Sequence, residues 1–451
     1  MRKILSSALF ILFWLPVLAG AAAGQAAEEP LVLTLDQAVE LALKQNPFHL
    51  AALENEDQAR ARVRSAFAGF LPSLNAQGQR TLSEKLMAIE FPSMIPGEPP
   101  QRIEIDFTRD YQAAFSLSMP VFAGGRILAG YNQSRYGLKA SEEAIRQSEQ
   151  ETVFNVKRAF YGYLVAKEFV DVAEEALGLA EKHFENVKNL YEVGMASKFD
   201  LLRSEVQASN LRPQVIRARN GLATAELGLK HVLGVELNRS VEVRGRLTFE
   251  EVDIEVNKAV EEALARRPEV RQMDFQVRMA GEMVKMARGA FAPTVSIGGA
   301  FNYWADKFSF ARGTWSNYYG INLVVTLPIF NGLQNHARLA ESKSALRQAE
   351  LTRKGLLETV ELDVRQAALN YEQARETLLS QEKNVEEARE AVRIAELNYQ
   401  EGLATNLDVS TAQVALSQAR MNYTQALYDC VISLAQLEKA VGRGRADHSS
   451  N

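Results

Sequence analysis

The chain has 451 residues, 47% of them apolar and 24% charged, which is the composition of a folded protein and excludes a disordered one. Its net charge of −5 comes without a basic stripe, so nucleic acid is not expected among its partners. Cys430 is the single thiol, so no intrachain disulfide can form.

The N-terminus reads as a secretory signal. Arg2 and Lys3 precede an apolar stretch from Ile4 to Leu18, broken by Pro16, and small residues follow from Ala19 to Gly24. This run is too short and too broken for a membrane helix, and cleavage after Ala23 or Ala26 is expected. No Cys stands near either site, so lipid anchoring is not expected.

Beyond the signal the chain is written twice. The interval from Pro47 to Pro72 recurs from Pro268 to Pro293, that from Pro120 to Gly194 recurs from Pro328 to Gly402, and that from Gly194 to Gly234 recurs from Gly402 to Gly442. Only the stretch after Pro72 is longer than its counterpart after Pro293. One supersecondary unit is therefore used twice. The expected organisation is a signal peptide (1–26), a first repeat (27–234), a mid-height segment (235–257), a second repeat (258–442) and a tail (443–451).

In each repeat a helical stretch (Pro47 to Pro72, Pro268 to Pro293) leads into a region of period two, at about 73–120 and 294–330. Tyr111, Ala113, Phe115, Leu117 and Met119 alternate with Gln112, Ala114, Ser116 and Ser118. Similar alternation runs from Thr294 to Tyr303 and from Tyr318 to Leu327, with a weaker start at Leu74. Four strands of about ten residues, apolar on one side and small or polar on the other, fit a membrane β-barrel. Trp304, Trp315, Tyr318 and Tyr319 fall near strand ends, where an aromatic girdle is expected. Between the first two strands, Ser83 to Asp106 holds Pro92, Pro96, Pro99 and Pro100, which predicts a long outer loop without a ladder.

Long helices follow, at about 126–192 and 334–400, uninterrupted by any proline and on the order of 100 Å long at 1.5 Å per residue. Val364, Tyr371, Leu378, Val385, Val392 and Tyr399 recur every heptad; Val156, Tyr163, Val170, Leu177, Phe184 and Tyr191 do so in the first copy. Such a seam belongs to a left-handed coiled coil. Each long helix turns into a shorter return helix, marked by Leu201, Ala208, Val215, Leu222 and Leu229 and by Val409, Leu416, Tyr423, Cys430 and Leu437. Pro213 predicts a kink in the first return helix. The return helix and the Pro47 to Pro72 type of helix, end to end, match the length of the long one.

Four strands cannot close a barrel, and an open edge in lipid leaves backbone groups unpaired. Two copies would supply eight strands, whose interior side chains would fill, and three would supply twelve over a wall of helices.

Thr34 to Pro47 (TLDQAVELALKQNP) resembles the opening motif of TolC-type outer-membrane efflux proteins. Pro120 to Gly125 (PVFAGG) and Pro328 to Gly332 (PIFNG) are similar to that family's strand-to-helix corner, and Tyr191 to Asp200 and Tyr399 to Asp408 to its periplasmic tips. The resemblance implies a mainly α fold with a membrane β-barrel portion. The duplicated coiled-coil helices and four strands per subunit would assemble as a homotrimer with a 12-stranded barrel and a periplasmic tunnel. It further implies an outer-membrane duct for efflux or type I secretion, touching outer-membrane lipid. Its partners would be a periplasmic membrane-fusion adaptor and an inner-membrane transporter of the resistance-nodulation-division or ATP-binding cassette type.

The tips also have a local reading. Gly194 and Gly402 suit the left-handed residue that ends a helix, Ser197 and Thr405 suit N-caps, and Asp200 and Asp408 then fall at the third helical position. The resemblance adds adaptor contact at Gly194, Met195, Ser197, Gly402, Leu403 and Thr405, and a constriction at Asp200, Tyr399, Asp408 and Thr411. Asp408 matches an acidic ring of the family. Thr411 stands where relatives carry a second acid and Ala404 where they carry a latching arginine, with Lys198 a candidate substitute cation.

His49, His183, His231, His336 and His448 lack metal-ligand spacing and no phosphate-binding glycine loop occurs, so neither enzyme nor cofactor is expected. A periplasmic coiled-coil scaffold or adhesin stalk is the alternative, which lipid-exposed strands would exclude.

Overall fold

A computed structural model describes residues 31–82, 87–93, 95, 97–105 and 110–443. The signal peptide and the tail beyond Arg443 lie outside the described residues. The repeats agree helix for helix. α1 (Leu35–Gln45) and α5 (Val256–Arg266) have 11 residues each, and α2 (Pro47–Ala68) and α6 (Pro268–Gly289) have 22. α3 (Arg126–Glu192) and α7 (Gln334–Gln400) have 67, and α4 (Lys198–Leu233) and α8 (Asn406–Val441) have 36.

Seam residues bury as their period requires. Val156, Val170, Val364, Tyr371, Leu378 and Val392 on the long helices are buried, as are Val409, Leu416, Cys430 and Leu437 on α8. Burial pushes the Cys430 thiol up to about 11, so it acts as a small apolar side chain rather than a thiolate. α4 runs through Pro213 as a single helix.

The long helices differ in their neighbours. α3 packs against α2 and α4 of its own repeat and against α6 and α8 of the other. α7 packs against α5, α6 and α8 of its own repeat, and its far flank leaves Leu351, Leu362 and Leu369 60% or more exposed, at 69%, 62% and 72%.

A belt crosses the rods at mid-height. β1 (Leu31–Leu33) pairs in parallel with β6 (Val241–Val243), inside the 235–257 segment. One apolar cluster gathers Ala38, Val39 and Ala42 of α1 with Val156, Phe160, Leu229 and Leu233. Its counterpart gathers Ala259, Val260 and Ala263 of α5 with Val360, Val364, Tyr371 and Leu437. The Tyr371 hydroxyl accepts from the Val252 amide at 3.1 Å and lies 3.2 Å from the Val252 carbonyl oxygen, which fixes the belt onto α7. Tyr371→Phe keeps the ring but removes these bonds. It is expected to cost about 1–2 kcal/mol, read as a lower denaturant midpoint at unchanged m-value.

The upper sheet has the order β2-β5-β7-β8, antiparallel throughout: β2 (Ser73–Arg80), β5 (Tyr111–Ala123), β7 (Thr294–Ala305) and β8 (Ser316–Thr326). The repeats join where β5 pairs with β7, with a register shift between Pro120 and Phe122. The Ser83 to Asp106 loop corrects one expectation. β3 (Met87–Phe91) and β4 (Gln101–Ile105) form a ladder of their own, because Pro92, Pro99 and Pro100 fall outside both strands, where their missing N–H groups cost nothing.

Candidate functional site

At the end farthest from the sheet each rod turns through the same motif. Gly194 (φ 78°) and Gly402 (φ 72°) are left-handed. The Gly194 amide donates to the Tyr191 carbonyl and the Met195 amide to that of Leu190; Gly402 to Tyr399 and Leu403 to Asn398 repeat the pattern. Both are Schellman ends, which satisfy carbonyls the terminating helix leaves open. The next helices start at once. Ser197 accepts from the Asp200 amide and Thr405 from the Asp408 amide.

Asp408 completes a capping box. Its Oδ2 accepts from the Thr405 amide at 2.7 Å and from the Thr405 hydroxyl at 2.6 Å. The Thr405 hydroxyl and amide hold this carboxyl below the usual carboxylate range. Asp200 accepts the Ser197 hydroxyl at 2.6 Å. Tyr399 is half-buried; burial first and the Asp200 charge second push its phenol up. Thr411 lies exposed one turn beyond Asp408. Val193, Met195, Phe199 and Leu403 present exposed apolar side chains at the turns, a surface suited to a partner.

The two tips are joined by residues that the motif spacing does not flag. Asn406, buried, donates from Nδ2 to the Asp200 carbonyl at 3.0 Å. Its Oδ1 accepts from His183 Nε2 at 2.7 Å, and the His183 ring stands edge-on to Tyr399 with centroids 5.3 Å apart. Lys198 is exposed and makes no ion pair among the described residues. A neutral amide bridges the tips instead. Asn406 stands three residues before Val409, but Gln413 and Arg420 follow it at the same heptad position, so no break in an apolar row singles it out in the sequence. Asn406→Ala strands the His183 donor and is expected to weaken the junction by about 1–3 kcal/mol. Amides at 194–200 and 402–408 should then exchange hydrogen roughly 10–100-fold faster; unchanged exchange would show that the bridge holds nothing.

The sheet has two unlike faces. Directly paired residues share a face, so Gln79, Gln112, Trp304 and Ser316 form one row, and Gln77, Ala114, Asn302 and Tyr318 the next on the same side. Asn75, Ser116, Ala300 and Gly320, then Ser73, Ser118, Gly298 and Asn322, continue it. The opposite face carries Leu74, Phe115, Leu117, Phe301, Tyr303, Tyr319, Ile321 and Leu323. Trp304 and Tyr318 therefore lie on the polar face. This corrects their assignment to a lipid-side girdle, for which proximity to a strand end was not enough. Among the described residues no helix is long and apolar enough to cross a membrane, and no group of three His, Cys, Asp or Glu is placed to hold a metal.

Paired long rods under a two-faced antiparallel sheet define a subunit of a channel-tunnel. The outer membrane efflux protein family model matches residues 38–235 and 259–443, and the chain belongs to that family. It is similar to the probable efflux pump outer membrane protein TtgC of Pseudomonas putida, with 24% identity, 91% of this chain and 83% of that one being covered. It is also similar to the alkaline protease secretion protein AprF of Pseudomonas aeruginosa, with 23% identity over 92% of this chain and 85% of that one. The crystal structure of the Campylobacter jejuni outer-membrane channel CmeC superimposes with a TM-score of 0.76 at 20% identity, covering 91% of this chain and 86% of that one. The chain is thus an outer-membrane channel component of efflux or type I secretion, and not an enzyme.

Proposed function

We propose that three copies of this chain form a passive duct whose strands make a 12-stranded barrel in the outer membrane and whose helices make a tunnel in the periplasm. The open edges of the four-stranded sheet carry this reading: the outer edges of β2 and β8 are unpaired among the described residues, and the apolar face of β8 is exposed. Pairing β8 of one copy with β2 of the next removes every edge. The helices support the same closure. By the pseudo-symmetry, the open flank of α7 takes α2 and α4 of the next copy, where Phe48, Val206 and Ile216 are exposed, just as α3 takes α6 and α8. This interface is heterologous and closes as a three-fold ring.

The tips at Gly194, Met195, Ser197, Gly402, Leu403 and Thr405 meet a periplasmic membrane-fusion adaptor, itself bound to an inner-membrane pump. Asp200, Tyr399, Asp408 and Thr411 form the constriction, where three Asp408 carboxylates ring the pore. The purified protein is expected to leave the outer membrane only with detergent, to run as a trimer and to conduct ions in planar bilayers. A detergent-independent monomer of full helicity would sink the trimeric reading.

A further inference from the structure

Two aromatic rings stand on the polar face of the sheet, at the end away from the helices. Trp304 pairs with Gln112 and Ser316, and Tyr318 with Asn302. The ring centroids are 5.6 Å apart and tilted by 58°, and Tyr318 is 53% exposed. The four paired rows on this face contain amides, hydroxyls and small residues, with no Asp, Glu, Lys or Arg. A ring that served only to anchor the chain in lipid belongs on the other face, beside Tyr303 and Tyr319.

We propose that Trp304 and Tyr318 form a stacking site for planar aromatic cargo at the outer end of the lumen, with Gln79, Gln112, Asn302 and Ser316 as neutral hydrogen-bonding neighbours. The site rests on the reading of the polar face as the lumen of a trimeric barrel, which repeats the pair three times. Tilted rings offer π faces to a flat ligand and to an aromatic cation alike. The four described rows add no strong Coulomb trap of their own, so cargo binds weakly enough to leave, as conduction requires.

The test has two arms. In Trp315→Phe, Trp304 is the only tryptophan left beyond residue 26. Reconstituted in vesicles, its fluorescence should be quenched by aqueous iodide and not by brominated acyl chains; the reverse pattern would place the ring in lipid and overturn the site. In planar bilayers, ethidium should interrupt the current through wild-type trimers while tetraethylammonium, of the same charge but not aromatic, does so far less. Trp304→Leu and Tyr318→Leu should each weaken the ethidium block about tenfold. Tyr319→Leu, on the opposite face, should leave it unchanged. Equal ethidium block in wild type and in both lumen variants overturns the site with the channel intact. A trimer that folds and conducts nothing overturns the channel reading and the site with it.

Discussion

Gly289→Val should abolish assembly of the folded protein, and Gly124→Val should do the same. Gly289 ends α6, and Gly124 (φ 61°) sits at the corner between β5 and α3. A Cβ on either one would overlap the carbonyl oxygen of the other. It would also lie 2.7 Å from Ala292 Cβ when placed on Gly124 and 2.8 Å from Arg126 Cγ when placed on Gly289. These are mostly backbone atoms at the seam between sheet and rods, so no side-chain rotation relieves them. A β-branched residue at a left-handed position adds about 1–2 kcal/mol to the overlap. The total is expected to exceed ~4 kcal/mol, a large part of the ~5–15 kcal/mol that holds a typical domain. Trimer yield in detergent and the loss of far-UV helicity on heating read this directly. Gly320→Ala, whose Cβ meets nothing within 4 Å, serves as the neutral control. The same reasoning ranks the mid-height turns: a Cβ on Gly234 would stand 2.5 Å from the Gln45 carbonyl oxygen, and one on Gly442 3.1 Å from the Arg267 amide. Substitution at Gly234 should therefore cost more. A normal yield of Gly289→Val trimers would mean that the corner opens more readily than close packing permits.

Asp408→Ala should remove the block of the open channel by trivalent cations and reduce its cation selectivity. Three carboxylates in a narrow pore attract cations and repel one another. With Thr411 in place of a second acid and Ala404 in place of an arginine, a weaker block and a looser closed state are expected than from a double acidic ring. The cap confuses the test unless it is separated from the pore, because Asp408 is also the capping residue of α8. Thr405→Ala does so. It keeps the carboxylate in place, costs about 1 kcal/mol of cap energy, and releases Asp408 toward the ordinary carboxylate range. Because the folded Asp408 carboxyl is held low by Thr405, its stabilising contribution is fully present above about pH 4 and is lost as pH falls through the depressed folded value. The wild-type block should accordingly survive to a lower pH than the Thr405→Ala block. If single-channel recordings of Asp408→Ala match the wild type, Asp408 is a helix cap and nothing more.

The lengths of the rods and the two-sided character of the strands were legible in the sequence, because both are local periods. A heptad such as Val364, Tyr371 and Leu378 places successive residues on one stripe of a helix whatever surrounds it. Alternation such as Phe115, Ser116 and Leu117 divides a strand's two faces in the same way. The tip caps were legible too, since Thr405 and Asp408 interact across one helical turn. The short helices α1 and α5 and the three-residue strands β1 and β6 were missed; strands this short carry too few residues to show a period.

What only the tertiary structure decided lies between distant positions. The pairing of β5 with β7 across the repeats, the Asn46 side chain on the Val232 carbonyl, the closeness of Gly124 to Gly289, and the His183 bond to Asn406 have no local signature. Trp304 shows the difference within one residue. Its place near a strand end followed from the sequence, yet its side of the sheet followed from the register that sets it opposite Gln112 and Ser316. A shift of one residue in that register would have turned the ring to the other face, and register is decided by the partner strand, not by the strand's own sequence.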